Sequence, residues 1–149
     1  EFSQQQLKAT FSGITLITKV IDGKFPDYER VIPNYNNHLE MNRIQIQHAL
    51  QRAAILSNEK FRGVRFVLTE KNLSIISSNS EQEEAQEEIE TIYHGEALDI
   101  GFNVNYLLDG LNNINSETAI FSFGDSNSSI LITTPDNQEF RYVVMPMRI

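Results

Sequence analysis

The chain has 149 residues, 40% of them hydrophobic, and carries 20 acidic against 12 basic side chains for a net charge of −8 at pH 7. That composition supports one ordinary domain, or one domain with a piece of another, around a real core, and excludes a disordered chain. The acidic balance argues against nucleic acid gripped by the whole surface, because phosphate binding rests on clustered Lys and Arg; with no cysteine there is no disulfide, thiol nucleophile or thiolate metal site, which suits a cytoplasmic home.

No apolar run approaches the ~20 residues of a membrane span, so no membrane partner is expected. The chain starts with Glu, no charged-then-apolar leader follows, and it reads as an excised piece of a longer protein. Residues 14 to 20, "ITLITKV", are β-branched and predict a strand. The stretch from 21 to 38 holds Gly23, Pro26, Pro33 and several Asn, so it predicts a turn and linker with a domain boundary near residues 32 to 38. From 42 to 56, Ile46, Ala49, Leu50 and Ala53 recur at i, i+3, i+4 and i+7 and mark the buried face of a helix. Asn42 is its expected N-cap; Gln47, His48, Gln51 and Arg52 form a polar, weakly basic opposite face.

"GVRFVLTE" then alternates, with Val64, Phe66 and Leu68 on one side, and turns into "LSIISS" as a hairpin. A third strand is expected within 85 to 93, with Ala85, Ile89 and Ile92 as its apolar members, and a short one at "EALDIG", 96 to 101. A second helix from 103 to 114 places Val104, Leu107, Leu108 and Leu111 on one face with Asn103 as cap, and Gly110 weakens its later turns. Strands at 118 to 123, 128 to 134 and 140 to 145 follow, separated by "GDSN" and "PDNQ" turns. The order is a helix and three strands, a short strand, then a helix and three strands. This internal duplication implies an α+β fold with two helices packed on one face of antiparallel sheet.

Little points to catalysis, metal or cofactor. His38, His48 and His94 lie in the linker, on a helix face and beside a turn, without metal-ligand spacing, and no phosphate-cradling loop or nucleophile elbow appears. Ser126, Ser128 and Ser129 read as hairpin chemistry. The acidic run "EQEEAQEEIE", 81 to 90, reads as a solvated edge or as a docking surface for a basic partner. The terminal "YVVMPMRI" is apolar where termini usually fray. Its two Met side chains suit a surface that accepts several peptide sequences, and Pro146 ends strand pairing. Val143 and Met145 fit either core or pocket as alternate strand residues.

Three stretches, "DGKFPDYERVIP" (22 to 33), "RAAILSNEKFRGVR" (52 to 65) and "YVVMPMRI", together with "EQEEA" and "IGFNVNYLLD", closely resemble the beta-subunit (sliding-clamp) family of bacterial DNA polymerase III, from about residue 8 to the last residue. The resemblance implies a non-catalytic processivity factor: three similar domains per chain, helices inward and sheet outward, and two chains closing head to tail into a homodimeric ring around duplex DNA, bound without regard to sequence. Residues 1 to 33 then correspond to the closing strands of the second domain and the linker, and 34 to 149 to the whole third domain. A fragment of this extent cannot close a ring alone.

The same resemblance implies a peptide groove, built from Pro26, Arg30, Val31, Asn103, Tyr106, Ser129, Val143, Val144, Met145, Pro146, Met147, Arg148 and Ile149. It would receive short motifs of the DNA polymerase III alpha subunit, the clamp loader, other polymerases and repair proteins. A ring interface is implied at Ile55, Leu56, Glu81, Glu83, Glu84, Glu87 and Glu88, with core packing as the plain alternative for Ile55 and Leu56. Arg43 and Arg52 are candidates to face DNA. The rival readings are a sheet-rich peptide-binding adaptor unrelated to replication, and a hydrolase or transferase using Asp and His.

Overall fold

The structure, a computed structural model, describes residues 1–3 and 5–148. It opens with a hairpin, β1 (Gln6–Phe11) and β2 (Ile14–Lys19), turned through Ser12 and Gly13 at φ 46° and 80°. Among the described residues these strands join no other strand, apart from a bridge of Leu7 to Phe2, and Leu7, Phe11, Ile14, Leu16 and Ile17 are all exposed. The expected strand at 14 to 20 is present; its partner escaped notice because Gln6, Lys8 and Thr10 dilute the apolar signal. The Pro- and Gly-punctuated stretch that follows holds a single turn of 3-10 helix, Tyr28–Val31.

Beyond it the chain runs β3 (Asn37–Asn42), α1 (Arg43–Ile55), β4 (Gly63–Leu68), β5 (Asn72–Ser78) and β6 (Glu84–Glu90), then β7 (Leu98–Asn103), α2 (Val104–Asn112), β8 (Thr118–Phe123), β9 (Ile130–Thr133) and β10 (Tyr142–Val144). The repeat is therefore strand, helix, three strands, twice. Each leading strand crosses to the other half: the antiparallel sheets are ordered β10-β9-β8-β3 and β6-β5-β4-β7. This exchange stitches the halves into one α+β body, as the duplicated pattern implied. The linker assignment for residues 37 and 38 is corrected by β3. Only Leu39 and Met41 carry its apolar signal, and they are buried opposite Phe121 and Ala119 of β8.

The core lies between the helices and the inner sheet faces. Ile46, Ala49, Leu50 and Ala53 of α1 are buried as their spacing predicts, and the Asn42 side chain accepts from the Gln45 N–H at 3.0 Å. Val64, Phe66 and Leu68 point inward from β4, and Phe66 meets Phe102 of β7 edge to face at 5.4 Å. Burial of each such side chain contributes roughly 1.5–3 kcal/mol. On α2, Val104, Leu107 and Leu111 are buried while Leu108 is half-buried.

Gly110 is no weak point. A Cβ there would lie 2.7 Å from the Tyr142 ring, so the missing side chain is what lets β10 close on α2. The third strand ends at Glu90, and Ile92 is 77% exposed instead of inward. Strict alternation from Ile89 leads to Tyr93, which is buried edge to face on Phe123 at 6.0 Å. Among the described residues no helix is long and apolar enough to cross a membrane.

Candidate docking and interface surfaces

β10 pairs with β9 through Tyr142↔Ile132, Val143↔Leu131 and Val144↔Ile130, so its side chains alternate between core and outside. Val144 is 2% exposed and belongs to the core, which corrects its placement in a groove wall; Val143 is half-buried on the other face. Met145 is 68% exposed, Pro146 and Met147 are half-buried, and Arg148 is exposed. Ile149 lies outside the described residues. Pro146 has no N–H to donate, and pairing with β9 ends before it. One residue later the Met147 N–H donates to the Gly101 carbonyl at 2.9 Å, an isolated bridge to the open edge of β7. The tail is thus tied down by backbone while its apolar side chains stay partly in water.

Asn103 accepts from the Asn105 N–H at 2.9 Å as the cap of α2, and its amide donates to the Phe61 carbonyl at 3.2 Å. Tyr106, one turn on, is 56% exposed. Burial pushes the Tyr142 phenol up, with smaller contributions from Asp109 and Tyr106, which places these three groups in one neighbourhood. Ser129 is half-buried in the β8–β9 hairpin, and its carbonyl accepts the Tyr35 hydroxyl at 2.9 Å. Tyr35 also fills the space where a Gly124 side chain would stand, which fastens the linker to this hairpin.

Pro26, Arg30 and Val31 are exposed, and Arg30 pairs with Asp27 at 3.0 Å within its own turn. The hollow of about 370 Å³ that takes in Met147 and Arg148 is lined otherwise by Asn58, Phe61, Gly63, Ser78 and Asn79. The linker trio does not line it. Their side chains rest on little that the described chain supplies.

Ile55 ends α1 at 77% exposed, so the core-packing alternative fails for it, and Leu56 is half-buried. Phe61, 56% exposed with the Lys60 ammonium 5.3 Å from its ring centroid, is an apolar surface residue that sequence reasoning passed over. An aromatic inside the polar "SNEKFR" turn was the available signal. A second hollow of about 370 Å³ joins Ile55 and Lys60 to Asn79 and Glu81. Asn79 shapes the turn into the acidic run by accepting from the Glu81 and Glu83 N–H groups and donating to the Glu83 carboxylate at 2.7 Å.

Along β6 the acidic residues divide by alternation: Glu84 and Glu88 face outward, Glu87 inward toward α1. There Arg52 donates to both Glu87 oxygens at 2.8 and 2.6 Å, holding that carboxyl below the usual range through the hydrogen bond first and charge second. Arg52 is therefore engaged within the chain. Arg43 likewise donates to the Ser116 carbonyl at 2.9 Å and to Gln47 at 3.1 Å. Both guanidinium groups thus have partners within the chain, while the Arg52 side chain stays 56% exposed. β6 pairs only with β5, and its other edge has no partner among the described residues.

His38 lies on β3 with Nδ1 2.8 Å from the Ser122 hydroxyl, far from a linker setting, and no metal-holding group of His, Asp and Glu exists among the described residues.

Residues 29–148 match the family model for the DNA polymerase III beta subunit, C-terminal domain. The chain is 50% identical over 147 residues to the beta sliding clamp of Pseudomonas aeruginosa, covering 98% of this chain and 40% of that protein. It superposes on a crystal structure of the DNA polymerase sliding clamp from the same organism with a TM-score of 0.88 at 48% identity, covering 99% of this chain and 41% of that one. For the Caulobacter crescentus pol III beta structure the TM-score is 0.90 at 38% identity, with 99% and 40% covered. The chain thus spans about 40% of the length of the curated relatives it matches. With the duplicated sheet pairs, the capped helices and the latched tail all in place, the chain belongs to the DNA polymerase III beta subunit family, in the region of its C-terminal domain.

Proposed function

We propose that this chain is the docking and closing module of a ring-shaped processivity factor, part of a longer protein that homodimerises around duplex DNA in the cytoplasm and catalyses nothing itself. The observation that carries the reading is the tail: Met145 is 68% exposed while Met147, two residues on, is pinned to β7. An ordered apolar surface left open to water fits a guest peptide better than a core.

In this reading Val143, Met145, Pro146, Met147, Arg148 and Ile149, with Asn103, Tyr106 and Ser129, form one wall of a groove, Val144 backing it from the core. Pro26, Arg30 and Val31 approach from the linker side. Apolar burial supplies affinity at about 25 cal/mol per Å² and the polar groups set register. The guests are short motifs of the polymerase alpha subunit, the clamp loader, other polymerases and repair proteins.

Residues 1–33 are the last strands of a preceding domain and the linker, which accounts for a hairpin with apolar residues bare on both faces. Ile55, Leu56 and Phe61, with Glu81, Glu83, Glu84 and Glu88, meet the neighbouring chain, whose basic groups would offset the acidic edge. Glu87 acts there paired with Arg52. DNA is held by enclosure, so weak phosphate contacts suffice and few free cations are needed.

The test is a titration of the isotope-labelled chain with a peptide that docks on a sliding clamp. Amide signals of residues 143–148 should move, and Met147→Asp should weaken binding about tenfold while altering folding stability by under about 1 kcal/mol. Unmoved tail signals would return the chain to an adaptor of another kind.

A further inference from the structure

The two halves of the repeat meet at two seams. At one, the chain leaving β10 crosses the open edge of β7 and latches through the Met147 N–H to Gly101. The other is its topological counterpart, where the chain leaving β6 passes the open edge of β3. Here the amides turn away: Thr91 donates to the Lys71 carbonyl at 3.0 Å and Tyr93 to the Glu70 carbonyl at 2.9 Å. Among the described residues no backbone hydrogen bond joins this segment to β3. The seam stands open as a hollow of about 940 Å³.

His38 and Glu40 line it from the outward alternation of β3, Lys71 from the β4–β5 turn, Glu90 from the end of β6, and Ile92 and His94 from the chain leaving it. Ile92 offers a bare aliphatic surface at 77% exposure. The His38 ring is held by Ser122, whereas Glu40, Glu90 and Lys71 have no ion-pair partner among the described residues. Two carboxylates against one ammonium leave a net demand for positive charge near neutral pH. In addition the Thr91 hydroxyl is buried beside the hollow without a hydrogen-bond partner. An open strand edge carrying neither Pro nor Lys is a template for another strand.

We propose that this seam is a strand-addition site for an extended peptide that alternates aliphatic and basic side chains, separate from the tail groove and going beyond the function proposed above. The free edge of β3 extends its ladder to the guest backbone. Because Glu40, Glu90 and Ile92 share the outward face, a guest Lys or Arg there meets the two carboxylates with its methylene stem over Ile92, and the guest's aliphatic side chains turn to the inner face. The latch at the sister seam is the same kind of contact, made there by the chain's own tail.

The probe is acetyl-Val-Lys-Val-Lys-Val-amide, titrated into the labelled 149-residue chain. Amide shifts should concentrate at residues 37–42 and 91–94, and Glu40→Lys and Glu90→Lys should each weaken binding about tenfold at an unchanged urea midpoint. If either variant alters that midpoint, two peptides N-methylated on alternate residues decide, because they leave the protein untouched: one should lose about tenfold in affinity by losing its ladder donors. Absence of shifts up to millimolar peptide, shifts confined to residues 143–148, or equal binding of both N-methylated peptides overturns the proposal.

Discussion

Arg52 shows how a cation on an exposed helix face is claimed by a nearby carboxylate before any ligand arrives. Its bidentate bond to Glu87 pulls that carboxyl below the usual range, so the folded protein holds the charged form more strongly than the unfolded chain does. The stabilisation is present above the unfolded value of about 4.3 and is lost as pH falls through the lower folded value. Arg52→Gln should therefore raise the Glu87 pKa toward the unfolded value, read by carboxyl-carbon NMR; an unmoved titration would mean that the pair does not persist in solution. Gly110 carries the opposite lesson. From sequence it is a flaw in a helix, and by propensity alone Gly110→Ala would stabilise by about 1 kcal/mol. The Tyr142 ring occupies that space, so the substitution should instead destabilise by roughly 1–3 kcal/mol in urea unfolding. A stabilised variant would show a loosely seated ring.

At the scale of elements, the helices were legible because periodicity and caps agree: Asn42 and Asn103 both cap the helices they precede, as read from the chain. β3 was not legible, since Asn37 and the outward residues His38, Glu40 and Asn42 match loop composition and only pairing with β8 makes it a strand. The acidic run is one patch in sequence, but strand alternation sends Glu87 to the helix side and Glu84 and Glu88 to the other. The tail was legible as apolar and unusual; its latch was not, because a single backbone bond to Gly101 has no side-chain signature. Phe61 follows the same logic, an apolar residue in a polar turn whose meaning is positional. At 56% exposure Phe61→Ala should cost under about 0.5 kcal/mol of folding stability, yet weaken the chain association proposed for the longer protein. Sedimentation of that protein with and without the substitution checks it, and unaltered dimerisation would remove Phe61 from the proposed interface.

Across the whole molecule, the exchange of β3 and β7 between halves gives residues 37–144 a closed set of dependencies, while β1 and β2 contribute to none of it. Each half alone would lack the leading strand of its own sheet, so the repeat should unfold as one cooperative unit. The hairpin should not take part. Two strands with apolar side chains bare on both faces are marginal in water, and the linker is fastened later, where Tyr35 reaches Ser129 and lies on Gly124. A chain beginning at residue 27 should therefore keep its urea midpoint within the equivalent of about 0.5 kcal/mol, and in the 149-residue chain the amides of β1 and β2 should exchange far faster than those of β4 and β8. The shortened chain should also self-associate less, having shed Phe2, Phe11, Ile14 and Leu16 from its surface. A loss of more than about 2 kcal/mol on truncation would mean instead that the hairpin folds back onto the repeat, leaving its apolar faces no longer in need of a preceding domain.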